Sequence, residues 1–195
     1  MGVSDANGGS PGPRWAIGVL LLLCAMGVRS VGAQDGGSGE YQIKAAFLFH
    51  FGEFVEWPAE TFKDVNSPIT YCTIGEDPFR GALDESLRAK AIGGHRARIQ
   101  HLKNLDGVAN CQVLFIGAAE SKRDNSIVAK VKGNGVLTVG ESQGFAEDGG
   151  MIEFCREGNK IRFEINLGAV SAAKLKMSAR LLALAKTVIG KAGGD

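Results

Sequence analysis

Three short apolar runs, at residues 69–74, 111–116 and 136–139, alternate with stretches of helical periodicity. This alternation constrains the fold more than any other feature of the chain. A strand that is apolar at nearly every position has to be covered on both faces. Strands of that kind joined through helices pair in parallel, with right-handed crossovers. A helix is expected at 40–57, where Tyr41, Ala45, Leu48, Phe51 and Val55 fall at helical spacing and Pro58 ends the run. A second is expected from Pro78 to about residue 89, with Asp77 as its N-cap. A third is expected at 123–132, and a further short strand at 96–102.

The last third breaks the alternation. Runs at 151–155 and 160–167 flank Arg156-Glu157-Gly158-Asn159, which has the Gly-Asn chemistry of a hairpin connection. Phe163, Ile165 and Leu167 share one strand face, and Leu181, Leu182, Leu184 and Ala185 stripe what reads as one long amphipathic helix lying on the sheet. The expected fold is α/β: a mixed, largely parallel sheet of five or six strands, with helices on both faces and a C-terminal antiparallel hairpin. No residue in 151–186 is an obvious nucleophile, base or metal ligand. That pattern points to a scaffold that binds rather than reacts.

The N-terminus reads as a secretory leader over residues 1–33. Arg14 precedes the apolar run from Trp15 to Val28, and Val31-Gly32-Ala33 supplies small residues for cleavage after Ala33. The run falls short of the roughly 20 apolar residues that a membrane span needs. An uncleaved anchor is one rival reading. A lipoprotein is another, since Cys24 lies in the run, although Leu21-Leu22-Leu23 rather than a small residue precedes it. Cleavage removes Arg14, Arg29 and Asp5 from the 22 basic and 21 acidic residues, leaving a mature chain of zero net charge. Such a chain offers no basic field for nucleic acid and no means of inserting into a membrane. Residues 34–39 (QDGGSG) are expected as a flexible tail, 40–190 as one domain, and 191–195 as a frayed end.

Three cysteines lie beyond the leader: Cys72, Cys111 and Cys155. An exported protein meets oxidising conditions that favour a disulfide. A bond between the strands carrying Cys72 and Cys111 would close a loop of about 40 residues, contributing about 3–4 kcal/mol in the chain-entropy model. Cys155 is then either a buried free thiol or a site of intermolecular pairing. No CxxC spacing is present, so zinc ligation by cysteine is not expected.

Several segments match the YfiR-like periplasmic proteins in order along the chain. They are Tyr41-Gln42-Ile43-Lys44-Ala45-Ala46-Phe47-Leu48, Phe54-Val55-Glu56-Trp57-Pro58, the cysteine-bearing strands with Asp77-Pro78-Phe79 between them, Leu137-Thr138-Val139, Gly144-Phe145, Gly149-Gly150-Met151-Ile152 and the strand at 162–167. The chain resembles that family over nearly its whole mature length. The resemblance implies a periplasmic repressor that binds the periplasmic domain of an inner-membrane diguanylate cyclase, lowers cyclic-di-GMP signalling and biofilm formation, and is itself sequestered by an outer-membrane lipoprotein. It also implies that Cys72–Cys111 is the structural disulfide. A second cysteine pair known in a relative is reduced here to Cys155 alone. A homodimer is compatible with the sequence, and no cofactor is implied.

Read without the family, the strand ends are the candidate ligand site. Glu76, Asp77, Glu120, Glu141 and Ser142 all follow strand-like runs, and ligands of open parallel sheets bind at the carboxyl ends of the strands. An acidic rim of this kind suits a cationic or zwitterionic ligand, and makes a small-ligand sensor or uptake accessory the alternative function. The competing reading is that Asp77 caps its helix and the others are solvated loop charges. His50, His95 and His101 lack metal-ligand spacing, and His50 with Glu53 is placed for a hydrogen bond on a helix, so no metal site is expected. Ser121 and Ser171 lack a triad pattern, there is no phosphate-binding glycine loop, and no catalytic residue is assigned. Trp57 beside Pro58, and Phe145 in a Gly-rich acidic loop, are the candidate anchors for a protein partner.

Overall fold

The computed structural model describes residues 1–2 and 36–190. The leader at 1–33, apart from its first two residues, and the frayed end at 191–195 therefore lie outside the described residues. The domain opens with α1 (Gly36–Glu53), which leads into β1 (Val55–Glu56). A parallel core follows: β2 (Ile69–Ile74), α2 (Ala82–Leu87), β3 (Ala91–Ile92), β4 (His95–Leu102), β5 (Val113–Ile116), α3 (Asp124–Val131) and β6 (Leu137–Gly140). The chain closes with β7 (Ile152–Glu157), β8 (Lys160–Asn166), α4 (Leu167–Ala172), β9 (Lys176–Met177), α5 (Ala179–Leu184) and β10 (Thr187–Ile189).

Eight strands form one sheet in the order β10-β8-β7-β6-β5-β2-β4-β3. The pairs β4–β2, β2–β5 and β5–β6 are parallel, as the apolar runs require, and β7–β8 is the antiparallel hairpin. The sheet exceeds the five or six strands expected because two short edge strands, β3 and β10, carry no apolar run to announce them. Alternation along the strands divides the core in two. Ile69, Tyr71, Val113, Phe115, Leu137 and Val139 meet residues of α1, α2, α4 and α5, whereas Cys72, Ile74, Leu114 and Ile116 meet Ile127 and Val131 of α3. The sheet is thus covered by helices on both faces, and β2, β5 and β6 are buried throughout.

Some expected boundaries are corrected. Residues 36–39 are helical rather than a flexible tail. Once a helix has nucleated, each further residue adds a hydrogen bond, and here Glu40, just after the first turn, is tied to Arg156 at 3.3 Å. α1 stops at Glu53, short of Pro58, because Val55 and Glu56 pair with Met177 and Lys176. The helix expected from Pro78 begins at Ala82, since Arg80 and Gly81 are left-handed (φ 51° and 90°) and interrupt it. The single long C-terminal helix is replaced by α4, β9, α5 and β10. Asn166 caps α4, Lys174 turns left-handed after it (φ 58°), and Ser178 caps α5. Strand pairing by β9 and β10 overrides the helical stripe, of which Leu181 is buried while Leu184 is exposed.

The Cys72–Cys111 disulfide is present, with Cα atoms 5.9 Å apart. It ties β2 to the segment just before β5 on the α3 face. Cys155 is free and half-buried.

Candidate functional site

The strands β2, β5 and β6 end level with one another, Ile74 pairing with Ile116 and Ile116 with Gly140. Beyond these ends lies a cleft of about 530 Å³, lined among others by Tyr41, Glu76, Asp77, Arg80, Arg88 and Glu141. Two arginines join the carboxylates, so the cleft is of mixed charge rather than purely acidic.

Glu141 anchors the cleft wall. Its carboxylate forms a buried ion pair with Lys44, both side chains being 6% exposed. It also accepts hydrogen bonds from the Tyr41 hydroxyl at 3.0 Å and the Ala118 N–H at 2.8 Å. Lys44 in turn reaches Glu40 at 2.6 Å and stands 4.6 Å over the Tyr41 ring. Burial, with the Glu141 carboxylate next in weight, pushes the Tyr41 hydroxyl well above its ordinary range and keeps it a donor.

The other rim residues have separate tasks. Asp77 Oδ1 accepts from the Phe79 N–H at 3.1 Å, stabilising the turn rather than capping α2. Glu120 binds Arg123 at 3.0 Å, and a Cβ on Gly75 would stand 2.4 Å from its carboxylate, so it packs over that turn instead of lining the cleft. The Ser142 hydroxyl is buried without a hydrogen-bond partner, as is Asp124 Oδ1. Burial raises the Asp124 pKa, with Glu120 and Asp148 adding to it. The fold therefore brings Glu76, Asp77 and Glu141 to one cleft and sends Glu120 and Ser142 elsewhere.

Of the two expected anchors, Phe145 is corrected. It is 2% exposed, inside the α3-side core, and its ring lies against Gly140 and Gly150, where a Cβ would come within 2.5 and 2.1 Å of it. The loop turns its aromatic residue inward because those two glycines leave a slot for the ring. Trp57 is half-buried; its indole N–H donates to the Gly135 carbonyl at 2.9 Å, and its ring lines a shallow groove with Val55, Phe62 and Val65. His50 binds Glu53 at 2.7 Å on the exposed side of α1, as its spacing suggested.

Cys155 faces a second, polar cleft of about 820 Å³ together with Glu153, Glu164 and Lys186. Burial pushes its thiol up, Lys186 and Arg162 partly offsetting burial and the two glutamates. The residues that the sequence reading missed are Lys44 and its partners Glu40 and Tyr41. A signal was there: Lys44 falls within the apolar stripe of α1, three residues after Tyr41 and four before Leu48, where a charge has to find a buried partner.

The fold is an α/β domain with a cleft at its strand ends, where Asp77, Glu120 and Glu141 chiefly hold the structure. A hydroxyl–imidazole pair does occur, Thr73 with His101 at 2.8 Å, but the Thr73 side chain is fully buried and out of reach of a substrate. Residues 41–186 match the YfiR/HmsC-like family, and the chain belongs to it. The family is one of periplasmic regulators, and among the described residues no helix is long and apolar enough to cross a membrane. Among solved structures, an ABC domain from Streptococcus pneumonia in complex with L-Trp is similar, with a TM-score of 0.50 at 8% identity, over 74% of this chain and 60% of that one. A conserved domain protein from Vibrio cholerae gives a TM-score of 0.46 at 9% identity, over 62% and 54%. The chain spans less than two thirds of either protein, and the first likeness is one of fold alone.

Proposed function

We propose that this protein is a periplasmic repressor that binds the periplasmic domain of an inner-membrane diguanylate cyclase and holds the enzyme inactive. Family membership across residues 41–186 carries this reading. Repression requires higher affinity for the inactive conformation of the partner than for the active one. The half-buried Trp57 and its apolar groove supply the docking anchor, now without Phe145. An outer-membrane lipoprotein that competes for the repressor would relieve the cyclase. The experiment is a pull-down from periplasm and inner membrane, with cyclic-di-GMP followed in a deletion strain. Recovery of a cyclase and a rise in cyclic-di-GMP are expected; neither occurring refutes the reading.

The strand-end cleft supports a second reading, a small-ligand sensor without a cyclase partner. Its mixed lining of Arg80, Arg88, Glu76 and Asp77 suits a zwitterion. Calorimetry against a panel of amino acids, with Arg88→Ala as control, tests it. Absence of heat from every compound removes this reading and leaves the first intact.

A further inference from the structure

Three donor groups from separate elements meet near the ends of β2 and β4. Asp77 lies in the turn after β2, Asp84 on α2 and His101 near the end of β4, and one ligand atom of each lies within 4.8 Å of the others. His101 Nε2 stands 3.8 Å from Asp84 Oδ2. The geometry points to a binding site for a divalent transition-metal ion, Zn²⁺ above all, formed by Asp77, Asp84 and His101.

Orientation is the first argument. His101 Nδ1 is 2.8 Å from the hydroxyl of Thr73, its register partner on β2, whose side chain is fully buried. That contact fixes the ring from behind and leaves Nε2 directed at the carboxylates. A metal-binding imidazole almost always has its second nitrogen held in this way.

Charge is the second. Among the described residues neither Asp77 nor Asp84 is paired with a lysine or arginine, although Arg80 and Arg88 are close by in sequence. Two carboxylates without a lysine or arginine partner match the charge of a divalent ion. One nitrogen and two oxygens also make a zinc ligand set, one that leaves a position open to solvent or to a ligand.

Spacing is the third. Two ligands on a tetrahedral zinc, each bonded at about 2.0–2.1 Å, stand about 3.4 Å apart. The three groups thus need to close by about an ångström. Asp84, with its side chain 43% exposed, is free to make that movement, while Asp77 is anchored by its bond to Phe79 N–H. An ion here would sit beside the cleft that Asp77 lines and would fasten α2 to the end of β4.

The test uses protein purified from the periplasm, stripped with EDTA, and titrated with Zn²⁺ by calorimetry and with Co²⁺ by visible absorption. One equivalent of each is expected, with tetrahedral cobalt bands and a higher melting temperature. Asp84→Asn and His101→Ala should each weaken zinc binding by about tenfold or more, while His50→Ala, which removes the exposed His50–Glu53 pair, leaves it unchanged. Thermal unfolding of the metal-free variants checks that each is folded, and Asp84→Asn keeps the test valid if His101→Ala is not. Absence of binding, binding indifferent to Asp84→Asn, or binding abolished by His50→Ala overturns the site.

Discussion

Replacing Lys44 with methionine leaves the Glu141 carboxylate buried without its ammonium partner. Methionine keeps an unbranched apolar stem and removes the ammonium that stands over the Tyr41 and Phe154 rings, so the change isolates the charge. Breaking a buried pair by removing one partner costs about 3–5 kcal/mol. The lower end applies here, because Glu141 retains the Tyr41 hydroxyl and the Ala118 N–H, and Glu40 retains Arg156. A loss of about 3 kcal/mol lowers the melting temperature of a chain of this size by roughly 6–12 °C. Urea unfolding at pH 7, followed by circular dichroism, measures the loss directly. The double variant Lys44→Met/Glu141→Gln removes both charges and should recover about 2 kcal/mol relative to the sum of the single changes. Additive losses, or a single-variant loss below about 1 kcal/mol, would refute the assignment of Lys44–Glu141 as the fastening between α1 and the strand ends.

Three further outcomes follow from contacts elsewhere. Gly150→Ala places a Cβ 2.1 Å from the Phe145 ring and should destabilise by about 1–3 kcal/mol; adding Phe145→Leu should restore part of that loss, and no recovery would mean that the ring is not the obstacle. Asp124→Asn should stabilise at pH 7. Because burial raises the folded-state pKa of Asp124, the unfolded chain loses its proton first as pH rises, and stability falls between the unfolded and folded values. The gain from asparagine should therefore shrink as pH drops from the raised folded value toward the ordinary aspartate value, and a gain that grows on acidification contradicts the sign. Cys72→Ser/Cys111→Ser opens a loop with a sequence separation of 39 and should cost about 3–4 kcal/mol in urea unfolding; an unchanged midpoint under oxidising conditions would show that the bond adds nothing.

The parallel core was legible because β2, β5 and β6 are buried on both faces and read as unbroken apolar runs. The hairpin was legible from its turn residues. The C-terminal helix misled because Leu181, Leu182, Leu184 and Ala185 carry a helical period, whereas β9 and β10 owe their conformation to hydrogen bonds with β1 and β8. Such pairing is a tertiary event with no local signature. At the site, Glu141 and Asp77 could be placed at strand ends, but strand order decided that His101 meets Asp84, while Glu120 turns to Arg123 three residues on. Phe145 failed as an anchor because the sequence shows a Gly-rich loop and not the slot that its glycines form.

The pairing with Lys44 explains why Glu141 should not be counted as ligand-binding charge. Glu141 lines both the strand-end cleft and the polar cleft that holds Cys155, while Tyr41 lines the first and Glu40 and Lys44 the second. The ion pair is thus the partition between the two. A charge engaged in that partition has its interactions directed inward, leaving Arg80, Arg88 and Glu76 as the groups available to an occupant of the first cleft. A ligand or partner segment that pulled on Glu141 from either side would disturb the same buried pair, and the several kcal/mol at stake exceed the 1–3 kcal/mol of a typical coupling between sites. A stiff partition of this kind resists small displacements, so any coupling across it requires an occupant that contacts Lys44 or Glu141 directly.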